Sequence, residues 1–353
     1  MDNAKELLAD LVGTVVKEGG SDIHLSEDRI PTIRVSSFLI PLVKKQPLTK
    51  GQVDNIISIL IPPKIKEELE IKKEVDFGYA YGDVRFRGSI YHRMSKKAIA
   101  LRLIPKRIRT LEELNLPDIL ASFARRQQGF FLCVGPVGQG KSTTLASLIE
   151  LINQERLEHI VTIEEPIEYV FEPKKSIIDQ REVKIDTRGF HSGLWSVFRQ
   201  DVDVLMIGEM RDPETISTAV TAAETGHLVF STLHTNSAAQ TIDRIIDSFP
   251  SDQQAQIRIQ LGGSLAAIFS QRLVPRISGG LIPAYELLIN NNAVANLIRD
   301  KRTHEINSVI ETSSKDGMID LNQSLASLVR AGEITVENAF LYSINPKTLE
   351  KLI

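Results

Sequence analysis

Residues 130–145 read FFLCVGPVGQGKSTTL. An apolar run, a glycine-rich segment and a run rich in serine and threonine predict a buried strand, a tight turn and the start of a helix. Gly135, Gly140, Lys141 and Ser142 match the P-loop motif G-x-x-x-x-G-K-[ST]. In a P-loop, backbone N–H groups of the turn and of the following helix surround phosphate oxygens. The stretch therefore predicts a nucleotide site.

Both backbone and side chains of this stretch are expected to bind the nucleotide. We expect Lys141 to reach the β and γ phosphates of ATP and Ser142 to place its hydroxyl on Mg²⁺, because a small hard cation prefers oxygen ligands. ATP and Mg²⁺ are therefore the expected cofactors. The expected nucleotide contacts are Gly135, Pro136, Val137, Gly138, Gln139, Gly140, Lys141, Ser142 and Thr143.

Length and composition limit the protein class. With 353 residues, 42% of them hydrophobic, the chain is long enough for about two domains with ordinary cores. A net charge of −3 gives no basic footprint for sequence-independent nucleic-acid binding, so we expect no nucleic-acid partner. The single cysteine, Cys133, excludes an intramolecular disulfide and a four-cysteine zinc site, and its apolar surroundings predict a small buried thiol.

The sequence predicts no membrane insertion. The N-terminus, MDNAKELLAD, lacks a basic start followed by an apolar core. No apolar run reaches the roughly 18 residues that span a bilayer. We therefore expect a cytoplasmic protein that is not inserted directly in a membrane.

The first part of the chain has the pattern of a small mixed α/β domain. Apolar residues recur at helical spacing over 4–16 and stop at Gly19-Gly20, and residues 21–42 alternate as two strands. Residues 49–70 return to helical spacing, interrupted by Pro62-Pro63. His24 is expected to be structural, because no second ligand recurs near it at metal-binding spacing.

Prolines and a change of pattern suggest the domain limits. We expect the first domain to occupy residues 1–105. Residues 106–117 are basic at their start and bounded by prolines, which is typical of a linker. Residues 118–353 then form the second domain.

Two arginines in the first domain are candidate anion ligands. Strand alternation puts Arg85 and Arg87 on one face, and a symmetric hairpin loop over 92–97 would set Arg87 directly opposite Arg102. Like charges across a ladder repel, so such a sheet is suited to an anion, and the nucleotide phosphate of a neighbouring subunit is a candidate. A solvated basic face explains the spacing equally well, and the residues alone leave both interpretations open.

The second domain has the pattern of a parallel sheet. Apolar strand candidates recur at 130–134, 160–163, 204–207 and 228–230, separated by helical stretches. This alternation predicts an α/β fold with helices on both faces of the sheet. Ligands of such sheets bind at the carboxyl ends of the strands, where the P-loop also lies.

Acidic residues follow two of these strands. Glu164, Glu165 and Glu168 come after the second, and Glu209, close to Arg211, comes after the third. A Mg-nucleotide hydrolase needs one carboxylate to orient or deprotonate water and another to hold Mg²⁺, commonly through a coordinated water. We expect Glu164 to serve the water and Glu209 the metal, but spacing does not decide which of the two is the base.

Histidines flank the fourth strand. We expect His234, with Ser231 and Thr232, to lie near the phosphates and to respond to the γ phosphate. His227, at the other end of the strand, is expected to serve packing or an interface.

The last hundred residues are predicted to be mainly helical. Residues 251–273 have long amphipathic helical character, and AYELLI after them predicts a strand. Helical segments follow at 293–298, 318–329 and 335–343.

Taken together, these segments resemble the secretion and type IV pilus ATPases, and among them the retraction branch most closely. The motifs are GPVGQGKST at the P-loop, TIEEPIEY as the acidic box, LMIGEMRDPET as an atypical Walker B segment and TGHLVFSTLHTNSA as the histidine box. SDIHLSEDRIPTIR, RFRGSIYHR and the C-terminal half are similar as well, so the resemblance covers nearly the whole chain.

The resemblance implies a PAS-like N-terminal domain, a RecA-like ATPase domain with a helical C-terminal region, and a homo-hexameric ring. It implies that Arg87 and Arg102 are arginine fingers, with one subunit's N-terminal domain packed on the next subunit's ATPase domain. It also implies an ATP hydrolase that retracts type IV pili through an inner-membrane platform protein, at the inner face of the cytoplasmic membrane. A second pilus ATPase is a further candidate partner.

Some positions depart from the family pattern. Glu165 stands where aspartate is common, Val137 and Gln139 stand where threonine and serine are common, and SSF (36–38) replaces a glycine-containing turn. The carboxylate chemistry and the phosphate-binding backbone are compatible with these changes, which bear on rate more than on reaction type.

Three other functions are weighed against retraction. An assembly or secretion ATPase of the same fold often carries a longer N-terminal extension and a four-cysteine motif, which this sequence lacks. A nucleotide-binding regulatory subunit with little turnover does not need the complete set of Lys141, Glu164, Glu209 and paired arginines. A DNA translocase is disfavoured by the acidic balance.

Overall fold

The structure is a computed structural model that describes residues 2–35, 38–82, 84–104 and 106–353. Its contacts divide the chain into two units. The first contains residues 1–107 and the short segment Glu165–Val170, and the second contains Ile108–Glu164 and Phe171–Ile353. Residues 108–117 are thus grouped with the second unit.

The first unit is built from helices on an antiparallel sheet. Its described helices are α1 (Asp2–Lys17), α2 (Lys50–Leu60) and α3 (Pro63–Lys72), and its described strands are β1 (Asp22–Ser26), β2 (Thr32–Val35), β3 (Phe38–Pro41), β4 (Glu74–Tyr81), β5 (Val84–Arg93) and β6 (Lys96–Ile104). The strand order is β3-β2-β1-β6-β5-β4, and all neighbours run antiparallel.

Alternation along the strands separates the two faces of this sheet. Ile23, Phe86 and Leu101 point into an apolar core shared with α1 and α2, and all three are buried. Asp22, Arg87 and Arg102, at intervening positions, lie on the other face. A capping box of Thr49 and Gln52 starts α2, so its first backbone N–H groups are satisfied.

Residues 21–42 form three strands, whereas two were predicted. The apolar tail of this segment, Phe38–Pro41, pairs with β2 as a separate edge strand. Alternation does not mark the break between two strands when a short connection joins them. The predicted departure at SSF falls partly on Ser36 and Ser37, which lie outside the described residues.

The predicted register of the arginine hairpin is confirmed. Arg87 lies opposite Arg102 in the β5–β6 ladder. The ladder continues to Arg93 and Lys96, so the turn has two residues, Met94 and Ser95, both at positive φ. It is therefore a tight turn rather than the six-residue loop assumed from the sequence.

The second unit has a sheet with helices on both sides. Its described strands are β7 (Gly129–Val134), β8 (His159–Glu164), β9 (Ile177–Glu182), β10 (Val204–Ile207), β11 (Leu228–Leu233), β12 (Leu265–Pro275) and β13 (Leu281–Ile289). Its described α-helices are α4 (Ile119–Ala124), α5 (Lys141–Glu155), α6 (Phe190–Val197), α7 (Pro213–Glu224), α8 (Ala238–Asp247), α9 (Gln254–Ser264), α10 (Asn292–Arg299), α11 (Ile306–Thr312), α12 (Leu321–Arg330), α13 (Val336–Tyr342) and α14 (Pro346–Glu350). Short 3₁₀ turns occur at Thr303–Glu305 and Ser314–Asp316.

The four predicted strands and their parallel arrangement are confirmed. The order is β13-β12-β7-β11-β10-β8-β9, and every pair is parallel except β12–β13. All six residues of β7 are buried, among them Cys133. Burial raises the pKa of its thiol to about 12, so Cys133 is the inert apolar filler that the sequence predicted.

The long helix predicted over residues 251–273 is wrong in its second half. Helix α9 ends at Ser264, and Leu265–Pro275 form β12, which pairs with β7 and β13. A strand buried on both faces reads as a continuous apolar run, and LAAIF cannot be distinguished from a buried helix by periodicity. Gly262 in α9 does allow close approach, since an added Cβ would lie 3.2 Å from the Ala295 carbonyl oxygen.

The predicted helices of the tail are confirmed as α10, α12 and α13. Val274, Ala284, Leu325 and Leu349 form part of an apolar cluster that joins α12–α14 to β12 and β13. Among the described residues, no helix is both long and apolar enough to cross a bilayer. The α/β fold class predicted for the two parts of the chain is thus observed.

Candidate nucleotide site

The P-loop connects β7 to α5 and has the backbone geometry that its glycines permit. Gly135, Gly138 and Gly140 have φ values of 143°, 78° and 79°. A side chain at these angles would be strained. At Gly135 there is also no room for one, because an added Cβ would lie 2.4 Å from the Gln271 carbonyl oxygen. The loop therefore requires glycine both for its turn and for its packing on β12.

Lys141, the first residue of α5, is held within the loop. Its Nζ donates to the carbonyl oxygens of Gly135 and Pro136, each at 2.8 Å, and the residue is 7% exposed. Ser142 follows in the first turn of α5 and is exposed, as is Val137 in the loop. An ammonium group, a nearby hydroxyl and a helix N-terminus are the groups that a Mg-nucleotide needs, so the donor set fits the predicted ligand.

A histidine and a carboxylate extend the site away from Lys141. His234 follows β11, and its Nδ1 lies 3.3 Å from Lys141 Nζ. Its Nε2 lies 3.6 Å from a carboxylate oxygen of Glu209, which follows β10 and also pairs with Arg211. Lys141, His234 and Glu209 are therefore brought together, as the position of their strands predicted.

The hydroxyl groups before His234 form hydrogen bonds to the end of the neighbouring strand. Ser231 Oγ donates to the Ile207 carbonyl at 2.8 Å, and Thr232 Oγ1 donates to the Gly208 carbonyl at 2.6 Å. Both bonds join β11 to β10. They fix the spacing between the histidine segment and Glu209. His227, at the other end of β11, packs edge-on against Phe198, as predicted for a packing residue.

Glu164 lies farther along the carboxyl edge of the sheet. It ends β8, the third strand from β7, or about 14 Å away at roughly 4.8 Å per strand. It is buried and accepts hydrogen bonds from Thr162 Oγ1 at 2.7 Å and Gln180 Nε2 at 3.2 Å. Gly208 packs on its backbone, so the Glu209 segment is its neighbour.

Arg87 and Arg102 belong to the first unit, on the polar face of its sheet. They form a transverse row with Asp22 and Arg34, because Asp22 lies opposite Arg102 on one side and Arg34 on the other. Arg102 Nε donates to Asp22 at 2.9 Å, while the Arg102 side chain is 70% exposed. Burial opposes ionisation of Asp22, but hydrogen bonds from Ser21 and Arg102 hold its pKa below the ordinary value.

The segment that follows Glu164 contacts the same face. Arg87 forms a 2.8 Å ion pair with Glu168, and Arg85 Nε donates to the Ile167 carbonyl at 3.1 Å. Each member of the arginine pair thus has a carboxylate partner. The like charges that faced one another in the predicted ladder are balanced by acidic residues distant in the sequence.

Sequence reasoning missed two residues that organise these groups, Gln271 and Asp22. Gln271 hydrogen bonds to Thr144 at 2.7 Å and to the Gln139 carbonyl at 2.8 Å, within the segment misassigned to a helix. Asp22 was overlooked because its pairing with Arg102 exists only when β1 lies next to β6, and the sequence does not show that strand order. The one available signal was the isolated polar pair Gln271-Arg272 inside an apolar run.

Comparison with known proteins identifies the family. Residues 2–281 match the family described as type II/IV secretion system protein. The chain is 41% identical to a Pseudomonas aeruginosa protein named type IV pilus retractation ATPase PilT, over 94% of this chain and 96% of the relative. It is 38% identical to the type IV pilus ATPase PilU of the same organism, over 97% and 90%. The crystal structure of the pilus retraction motor PilT with bound ADP matches at a TM-score of 0.89 and 43% identity, over 97% and 98% of the two chains.

The chain therefore belongs to the type II/IV secretion system protein family. With an intact P-loop in an α/β sheet domain, it is an ATPase of that family, as the sequence predicted. The resemblance to the pilus-retraction branch is likewise confirmed.

A buried carboxylate, Glu286, contacts the start of α8, four residues after His234. Glu286 on β13 is 5% exposed and accepts the Ala238 backbone N–H, at the start of α8, at 2.6 Å. Burial raises its pKa to about 7, and the nearby Asp320 adds to this effect, while the Ala238 bond and Arg272 oppose it. Between its ordinary pKa of 4.5 and about 7, the folded state keeps a proton that the unfolded state releases. Rising pH therefore lowers the free energy of unfolding across this window.

We predict that Glu286→Gln stabilises the protein at pH 8 but not at pH 4.5. The amide keeps an acceptor for Ala238 without the cost of a buried charge, which is on the order of 3 kcal/mol above pH 7. The measurement is the thermal unfolding midpoint of both proteins at the two pH values. Glu305→Gln is the control, because Arg302 holds the pKa of Glu305 low and its loss should give no gain at pH 8. A Glu286→Gln effect that is equal at both pH values would contradict the prediction.

Proposed function

We propose that this chain is a Mg-dependent ATPase motor that powers type IV pilus retraction. The observation that carries the proposal is the line of contacts from Lys141 through His234 to Glu209 beside the P-loop. The direction of force is proposed from the near-complete match to the pilus retractation ATPase PilT and to the retraction-motor structure. ATP hydrolysis would supply the energy for removing pilin subunits from the fibre base.

The carboxylates and the histidine receive distinct roles in this proposal. Ser142 and Glu209 would hold Mg²⁺, Glu209 partly through water, and the bound metal would neutralise charge on the phosphates. Lys141 exchanges its loop carbonyl partners for phosphate oxygens. His234, between Lys141 and Glu209, responds to the γ phosphate, and Glu164 orients the attacking water.

The arginine pair is assigned to the neighbouring subunit's nucleotide. Arg102 is held by Asp22 through Nε and is largely exposed, so its terminal N–H groups could bind a second anion. Arg87 would have to share or leave Glu168 to act in the same way. This proposal requires a homo-oligomeric ring, for which six subunits are expected.

The proposed setting is the inner face of the cytoplasmic membrane. There the ring would act on an inner-membrane platform protein, together with a second pilus ATPase in organisms that have one. An assembly or secretion ATPase would have the same site chemistry. A retraction motor is distinguished from it by what happens in the cell when the motor is inactivated. A regulatory subunit with little turnover is disfavoured, because hydrolysis alone requires the full set of charged groups.

We expect Arg102→Ala and Lys141→Ala each to abolish Mg-dependent ATP turnover, and an equal mixture to regain up to about a quarter of the unmodified rate. In a mixed ring, half of the subunits keep Lys141, and half of the neighbours of those subunits keep Arg102. About a quarter of the sites therefore contain both residues. The measurement is specific activity against protein concentration, which should rise as rings assemble. Arg109→Ala, an exposed arginine, is the control. A mixture as inactive as its components would rule out a shared site.

Inactivation in the organism that encodes this chain distinguishes retraction from assembly. Cells carrying Lys141→Ala should keep long surface pili and lose twitching, because fibres form but are not withdrawn. Pilus length by electron microscopy and spreading on agar are the measurements. Cells without surface pili would instead indicate an assembly motor.

Glu164→Gln should leave ATP binding intact and slow cleavage by about 100-fold or more, the range of a lost general base. Single-turnover hydrolysis measures cleavage, and a fluorescent nucleotide measures binding. Glu182→Gln is a matched control, since Glu182 is buried and lies level with Glu164 on the adjacent strand. Equal turnover in Glu164→Gln and the unmodified enzyme would remove Glu164 from the mechanism.

A further inference from the structure

Strand β12 extends beyond the strand that leads into the P-loop. Its ladder with β7 ends at the pair Ser270–Val134, whereas its ladder with β13 continues to Pro275. The part of β12 past Ser270 therefore has no β7 neighbour along one edge. Gln271 and Leu273 lie on this extension.

The P-loop occupies that edge. Leu273 N donates to the Gln139 side-chain oxygen at 2.6 Å, and Gln271 Nε2 donates to the Gln139 carbonyl at 2.8 Å. Gly135 packs against the Gln271 carbonyl. The Gln139 side chain is long enough to accept the Leu273 backbone N–H, as a neighbouring strand would.

The side-chain oxygen of Gln271 forms a hydrogen bond to the first turn of α5. Its Oε1 accepts a 2.7 Å hydrogen bond from Thr144 Oγ1. Gln271 is 3% exposed and Thr144 is 1% exposed, so the bond between them is shielded from water. One buried amide thus joins residues on either side of Gly140 and Lys141.

We propose that Gln271 is a positioning residue that holds the P-loop in its phosphate-binding conformation. A loop with three glycines at positive φ loses much conformational entropy when it is ordered. The donor and acceptor of Gln271 offset this cost before the nucleotide arrives, so that binding energy is not used to order the loop. Ionised glutamate lacks the donor and leucine lacks both groups, so neither can replace the amide. This inference rests on the nucleotide binding of the proposed function.

The test is ADP binding by the full-length protein, measured by calorimetry with Gln271→Leu and Gln271→Glu. We expect about tenfold weaker ADP binding for Gln271→Leu, corresponding to the loss of one or two buried hydrogen bonds. The KM for ATP should rise by a similar factor, while kcat stays within about twofold, because the loop is correctly formed once the nucleotide is bound. Gln271→Glu should not restore binding.

Ser270→Ala is the matched control for a general loss of packing. Ser270 is the preceding buried residue of β12, and its hydroxyl bonds to the Asn236 carbonyl rather than to the P-loop. We expect it to lower the melting temperature and to leave ADP affinity unchanged, because the segment that Ser270 contacts is assigned to the γ phosphate, which ADP lacks. The double variant Thr144→Val/Gln271→Leu should bind ADP only slightly more weakly than Gln271→Leu alone. The two residues share one hydrogen bond, so their effects on ADP affinity should not add.

Three results would overturn the inference: ADP affinity of folded Gln271→Leu within twofold of the unmodified protein, equal weakening by Ser270→Ala, or a purely additive double variant. An unmodified protein that does not bind ADP would instead refute the proposed function. The two failures are therefore distinguishable.

Discussion

The parallel hydrogen-bond ladder of the second unit fixes where its charged groups lie. Because β7, β11, β10 and β8 are neighbours in that order, the residues after them form a row along one edge. Lys141, His234, Glu209 and Glu164 follow this order. Reordering the strands would separate the histidine from the lysine without changing any residue of the site. The short bonds from Ser231 and Thr232 to β10 then set the spacing within the row.

In the first unit, acidic residues balance the arginine pair where the sequence alone suggested repulsion. Arg87 and Arg102 face one another in a ladder, yet Glu168 and Asp22 partner them from outside the hairpin. These pairs are partly exposed, so their contribution to stability is small. Their effect is on geometry, since a paired guanidinium occupies fewer rotamers than a free one. An arginine held through Nε keeps its terminal nitrogens for a second anion.

The sequence predicted correctly those features that depend mainly on residues close together along the chain. The strand, turn and helix of the P-loop and the β5–β6 register depend on neighbouring residues, and these predictions are confirmed. Strand β12 was missed because both of its faces are buried and its apolar run has no period of its own. Asp22 and Gln271 were missed for a related reason, since their partners are determined by strand order rather than by spacing along the chain. The roles proposed for Glu164, Glu209 and His234 likewise depend on chemistry that spacing does not specify.

Strands β12 and β13 support both loops of the nucleotide site. Gln271 binds the P-loop, Ser270 binds the Asn236 carbonyl just after His234, and Glu286 binds the first N–H of α8. The same strand pair packs on the C-terminal helices, where Ser324 accepts from the Tyr285 backbone N–H. If phosphate binding moved either loop, β12 or β13 would have to accommodate the shift. Because both strands are buried and close-packed, such a shift would reach the C-terminal helices that pack on them.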